Sequence, residues 1–269
     1  MEKDKKRLDF ISKQISDFVR INAVDGSVDP RDDKNTTFFC KNFCTDAMIG
    51  IMRSHVKCWQ YVVDNNLEYA IILEDDANLC IDFRKEVEKR IKSTKPTEWD
   101  IMLLGCFLCN SKNNDFFART IMTSLNPFAY QKEYNELLYI PASWQGTHAY
   151  AVNRKSAQKL LSIFKKASYH IDYDMAHNDQ LKVLSSIKQL ATQNTTTEGS
   201  YNAVKTENSI FSGCKIDYGM VDVDFILTMP AGQVGGVKIN SVLIVTWIFY
   251  LIILYFIYYF ISHYTHNKS

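Results

Sequence analysis

The run Tyr69-Ala70-Ile71-Ile72-Leu73-Glu74-Asp75-Asp76 constrains this chain more than any other feature. An apolar stretch of strand length stops abruptly in three consecutive carboxylates. In an α/β protein, ligands bind outside the carboxyl ends of the strands. Carboxylates crowded there repel one another unless a positive partner joins them. A hard divalent cation with oxygen ligands, sharing its shell with substrate phosphates, is the natural partner. The plainer alternative is a loop carrying a helix-capping Asp. Side chains alternate along an extended segment, so Glu74 and Asp76 share one side and Asp75 takes the other. Asp76 is the first expected ligand and Glu74 its partner, with Asp75 joining if the chain turns there.

The surrounding pattern alternates helices and strands. Leu8, Ile11, Ile15 and Phe18 form one helical stripe, so a helix is expected from Lys5 to Phe18, then a short strand from Phe18 to Val24. An amphipathic helix from Thr45 to Asn65 puts Met48, Met52, His55, Val56, Trp59, Val62 and Val63 on one face, with Thr45 or Asp46 as its cap. Further helices are expected over Arg84–Ser93 and Arg154–Lys166, and strands over Trp99–Gly105, Thr147–Val152 and Asp222–Met229. Residues 106–143 and 192–215 lack a strong period and read as long irregular excursions. Such alternation predicts an α/β domain with a largely parallel sheet.

A formal net charge of +1 excludes a general nucleic-acid binder, which needs a basic patch. The seven cysteines cannot all pair within one chain. Cys106-x-x-Cys109 and Cys40-x-x-x-Cys44 have spacings near those of zinc ligands, but free thiols in a reducing compartment are the expected state. Val242 to Ile261 is twenty residues without a charge, the length of a bilayer-crossing helix. Trp247, Tyr258 and Tyr259 suit its interfaces. The simplest topology is a C-terminal anchor with the large domain in the cytosol.

Several segments together resemble glycosyltransferase family 25, which includes lipooligosaccharide and collagen galactosyltransferases. They are Ser54-His55-x-x-x-Trp59, Ile72-Leu73-Glu74-Asp75-Asp76, Trp99 to Gly105, and Gly146-Thr147-His148-Ala149-Tyr150-Ala151-Val152-Asn153-Arg154 followed by Ala157 and Leu160-Leu161. Arg7 and Ala23-Val24-Asp25-Gly26 fit the same pattern, and the resemblance covers roughly residues 5–180. The apolar strand that usually opens the pattern is missing here.

The resemblance implies a GT-A-type nucleotide-sugar domain with a Rossmann-like mixed sheet flanked by helices, over residues 1–230. A linker (231–241), the membrane helix (242–261) and a short tail (262–269) would follow. It also implies a UDP-sugar donor, UDP-galactose or UDP-glucose, and inverting transfer of the hexose to a glycan or protein hydroxyl. Mn²⁺ or Mg²⁺ would sit on Glu74, Asp75 and Asp76, neutralising the diphosphate leaving group. Arg7, Ser54, His55, Gly146 and His148 become donor-binding candidates. Inversion needs a general base, and the family's second acidic site corresponds to Asp172 and Asp174. Those two residues could instead be second metal ligands or an exposed acidic turn. A membrane-anchored inactive relative that binds a partner or nucleotide is the alternative of another class.

Overall fold

The chain alternates short helices and strands in the order the hydrophobic pattern sets. The computed structural model describes residues 5–107, 109, 131–142, 144–193, 230–234 and 237–266. Helices are α1 (Lys5–Ser12), α2 (Phe38–Phe43), α3 (Asp46–Asp64), α4 (Phe83–Lys92), α5 (Arg154–Ile163), α6 (Ile171–Ala176) and α7 (Ser241–His266). Strands are β1 (Tyr69–Leu73), β2 (Ala77–Leu79), β3 (Ile101–Phe107), β4 (Lys132–Glu133), β5 (Leu138–Ile140), β6 (Gln145–Asn153), β7 (Val183–Ser186), β8 (Ala191–Gln193), β9 (Pro230–Val234) and β10 (Val237–Asn240).

The central sheet is mixed, in the order β1-β6-β3-β7-β5-β4. Its one parallel pair is β3 with β7. The expected, largely parallel sheet is therefore corrected, and β6 is the cause. It runs antiparallel to β1 on one side and to β3 on the other. β1, β3 and β7 do share one direction, as the strand–helix alternation requires, but β6 is wedged between the first two. Helices flank the sheet. On one face Ile72, Tyr150 and Val152 pack with Met52, Trp59 and Val62 of α3 and Leu160 of α5. On the other, Met102, Leu104, Ala149 and Leu184 pack with Phe83 and Val87 of α4.

Three local expectations change. Helix α1 stops at Ser12 instead of reaching Phe18. Gln14 supplies the reason: its amide donates to Ala77 O (3.0 Å) and accepts from Leu79 N (2.7 Å), bonding β2 as a strand would. Residues 18–24 form no strand and instead run along a large cavity, with Val24 N held by Ser54 Oγ (2.9 Å). The expected linker is a β9–β10 hairpin, with Val234 opposite Val237. The strand expected over Asp222–Met229 lies outside the described residues.

Four of the cysteines are paired, contrary to the free-thiol expectation. Cys40–Cys44 and Cys106–Cys109 are disulfides, while Cys58 and Cys80 are free. The turn of α2 brings the first two Cα atoms to 4.5 Å, and the irregular end of β3 brings the second two to 6.0 Å, both within disulfide reach. Each pair closes on itself, so no four-cysteine zinc site forms. The membrane span expected over 242–261 is not met among the described residues, where no helix is long and apolar enough to cross a membrane. The described side chains of α7, Trp247 to Tyr259, are all exposed and cover roughly 20 Å at 1.5 Å per residue.

Candidate active site

β1 ends at Leu73 and the chain turns at once. Ala77 N donates to Glu74 O (3.1 Å), closing a turn over Asp75 and Asp76. The alternation expected for the three carboxylates therefore breaks after Glu74. Arg7, on α1, reaches both carboxylates of the turn. Its guanidinium lies 3.3 Å from Asp75 Oδ1 and bonds Asp76 Oδ2 directly. Gln193, at the end of β8, donates to the same Asp76 oxygen (3.0 Å). Glu74 points elsewhere, accepting from Thr147 Oγ1 (2.7 Å) with His55 Nε2 at 3.7 Å. Among the described residues no three His, Cys, Asp or Glu side chains gather as a metal-binding group. The positive partner in direct contact with the acidic run is a guanidinium.

These residues line one cavity of about 900 Å³, together with Ser54, Gly146 and Asp172. Its walls continue along β1 and the extended residues 18–24. Antiparallel pairing fixes where β1's backbone groups go. Glu74 N bonds His148 O and Arg154 N bonds Glu68 O, so the even-numbered residues face β6. Tyr69, Ile71 and Leu73 direct their amides and carbonyls away from β6, at the edge of the sheet.

Charge is distributed unevenly over this end. Burial pushes the Asp76 carboxyl up to about 7, and the neighbouring Glu74 adds to the rise, while Arg7 and Gln193 pull against it. Asp76 Oδ1 is buried and has no hydrogen-bond partner among the described residues. Burial also acts to raise Glu74. The neighbouring His55, Thr147 and His148 side chains outweigh it and hold Glu74 below its ordinary value. Glu74 keeps 28% of its side chain exposed, onto the cavity. The site thus holds one ionised carboxylate beside a second that is costly to ionise. Such divergence is common where carboxylates do chemistry.

The other candidates separate. Asp172 opens α6 at the cavity, and its Oδ2 accepts from Gly146 N (2.9 Å). Gly146 sits at φ +84°, a conformation that favours glycine. Asp174 instead accepts from Ser168 Oγ and Tyr169 N (3.1 Å), closing the turn before α6. Burial raises its pKa. Asp174 does not line the cavity, and neither does His148, which is buried with Nε2 3.4 Å from Ala191 O. Ser54 lines the wall while bracing Val24 N and Gly50 O (2.7 Å). Sequence reasoning missed Thr147 and Gln193. Thr147 was the more accessible of the two: on a strand beside the acidic run, either it or His148 had to face Glu74. Gln193 carried no signal, because it lies at the start of a stretch without pattern.

No curated protein matches the chain. The sequence profile of glycosyltransferase family 25 (LPS biosynthesis protein) matches residues 1–175 of 269. This span holds α1 with Arg7, the acidic turn, Gly146 and Thr147, and Asp172 and Asp174. The chain therefore belongs to glycosyltransferase family 25 and is a glycosyltransferase.

Proposed function

We propose that the chain is a metal-dependent, inverting transferase of GT-A type that moves a hexose, galactose or glucose, from a UDP-sugar to a glycan or protein hydroxyl. One observation carries this reading: Asp76 Oδ1 is a buried carboxylate oxygen without a partner among the described residues, on a side chain at the wall of the cavity that Arg7, His55, Gly146 and Asp172 also line. An orphaned, buried carboxylate oxygen beside a cavity is costly to leave charged and is satisfied by a cation. Mg²⁺ and Mn²⁺ sites commonly use one or two carboxylates plus substrate phosphates, so the residues fit such an ion. Asp76 would hold it through Oδ1, with Asp75 and Glu74 as neighbouring carboxylates. Bound there, the ion supplies neutralising charge for the departing diphosphate.

The chain's own groups supply the rest. Arg7 is the fixed positive group at the acidic turn and would face the diphosphate. Ser54, His55 and Gly146 line the donor space. Asp172 is the base candidate, since it reaches the cavity and Asp174 is committed to its turn. Two disulfides favour an oxidising compartment for the domain over the cytosolic placement expected above. For the apolar run 242–261 a membrane anchor is supported by sequence length and by the exposed apolar side chains from Trp247 to Tyr259.

The test uses the full chain with UDP-galactose and UDP-glucose, with Mn²⁺ or with EDTA, and the Asp76→Asn variant alongside. UDP release that needs Mn²⁺ and is lost in the variant is expected. Release that is unchanged by EDTA overturns the metal dependence. A folded chain with no release and no thermal stabilisation by UDP plus Mn²⁺ overturns the donor assignment.

A further inference from the structure

Trp59 and Tyr150 have no place in the chemistry described so far. Both are fully buried, Trp59 one helical turn after His55 on α3 and Tyr150 on β6. Their polar atoms nevertheless meet. Trp59 Nε1 lies 2.9 Å from Tyr150 Oη, and His55 Nδ1 lies 2.8 Å from the same oxygen. Continuing across the imidazole, His55 Nε2 lies 3.7 Å from Glu74 Oε1. Four side chains thus run in a line from the core to the cavity wall.

Hydrogen-bond valence decides which way the protons point. An indole Nε1–H can only donate, so Tyr150 Oη accepts from Trp59. The phenol has one proton of its own, and burial keeps it there by raising the Tyr150 pKa well above its ordinary value. Among the described residues the acceptor within reach of that proton is His55 Nδ1. Tyr150 therefore donates to Nδ1, and the imidazole's proton must sit on Nε2. In the opposite arrangement Nδ1–H and Trp59 would both donate to Oη. The buried phenol proton would then have no acceptor, at a cost comparable with an unmade buried hydrogen bond.

We infer that Trp59 and Tyr150 are positioning residues that fix His55 as its Nε2–H tautomer, making it a constant donor toward Glu74 at the cavity. This rests on the reading of that cavity as the reacting site. At 3.7 Å the contact is longer than a hydrogen bond, so the proton is aimed at the carboxylate and can tighten when the site fills. Two consequences follow. With its proton on Nε2, His55 presents a donor to the cavity and is not the group that deprotonates the acceptor. Glu74 is oriented from two sides, by Thr147 Oγ1 at 2.7 Å and by His55. A Trp that helical spacing alone assigns to packing acquires a second role through its single N–H.

The tautomer can be read without any turnover. In the full chain with ¹⁵N-labelled histidine, long-range ¹H–¹⁵N correlations, assigned with His55→Gln, report which ring nitrogen of His55 carries the proton. The wild type is expected to show Nε2–H alone. Trp59→Phe vacates the space beside Tyr150 Oη, where a water can accept the phenol proton and leave Oη to accept from Nδ1, so an Nδ1–H population should appear. Tyr150→Phe removes the fixed donor; the tautomer should mix and kcat for transfer should fall about 10- to 100-fold, with donor KM unchanged. Nδ1–H or a doubly protonated ring in the wild type at neutral pH overturns the inference. So does a pure Nε2–H signal retained in the folded variants. The wild-type spectrum stands even if a variant fails to fold. A chain without transferase activity that shows fixed Nε2–H would refute the proposed function and leave the tautomer assignment standing.

Discussion

Asp76→Asn should stabilise the fold while abolishing its function, and the size of the effect can be worked out. Asp76 ionises near 3.8 in an unfolded chain and at about 7 in the folded one, chiefly because it is buried and secondly because Glu74 repels its charge. For an acid raised on folding, the native state binds more protons between those two values. Stability therefore falls as pH rises from about 4 to about 7 and is flat above. At about 1.4 kcal/mol per pH unit, the ionised carboxylate costs roughly 4 kcal/mol at pH 8. Asparagine keeps the shape without the charge. It loses some of the contact with Arg7, so a gain of about 2–4 kcal/mol is expected at pH 8, shrinking below about 1 kcal/mol at pH 4. For a domain of this size that is a rise of at least about 4 °C in Tm at pH 8. Calorimetry of both proteins at pH 4 and pH 8, without divalent ions, reads it directly. A variant no more stable than wild type at pH 8, or a gain equal at both pH values, would refute the reasoning: Asp76 would not be the strained, uncompensated group that calls for a cation.

Three further outcomes separate chemistry from packing. Asp172→Asn should lower transfer at least about 100-fold with little change in Tm, whereas Asp174→Ala should cost about 1 kcal/mol of stability by orphaning Tyr169 N; kinetics and melting curves on the pair distinguish them. Gly105→Ala should destabilise by about 1–3 kcal/mol or more, because a Cβ there would lie 2.2 Å from Ala191 O and 2.4 Å from His148 Nε2; chemical denaturation measures the loss. Alkylation of the denatured, unreduced full chain followed by mass spectrometry should label Cys58 and Cys80 and leave Cys40, Cys44, Cys106 and Cys109 unlabelled; labelling at any of those four refutes the disulfide assignment.

What could be read in the sequence follows from how local each signal is. β1 and α3 were visible because their periods are set by their own side chains, and Thr45 caps α3 by accepting from Met48 N at 3.3 Å. β7 carried no strand pattern of its own, whereas the direction shared by β1 and β3 was visible through the helix between them. The antiparallel insertion of β6 was not, because its partners are chosen by tertiary pairing. Residues 18–24 have strand-like composition but form no ladder; side chains anchor their backbone instead, Ser54 at Val24 N and Lys57 at Asn22 O. At the site, the Glu74–Asp76 run announced itself as concentrated charge. What that charge does was settled by residues far away in the chain: Arg7, Thr147 and Gln193 contact it across separations of 69, 73 and 117 residues.

The three acidic residues carry different duties for one structural reason, the turn that begins where β1 ends. Before the turn, Glu74 is still in strand geometry and is drawn toward β6, where Thr147 and His55 hold it ionised. After the turn, Asp76 is carried under α1 and β8 and loses its water, and Arg7 only partly offsets the cost. Asp75, at the tip, stays 42% exposed and shares Arg7. A straight strand would have placed Glu74 and Asp76 in one environment, with like charges and like pKa values. The turn splits them instead, leaving one carboxylate fixed and charged and the other with an oxygen unbonded. That division lets a single short acidic run anchor to its neighbours through Glu74 while Asp76 keeps the open oxygen that the proposed cation site requires.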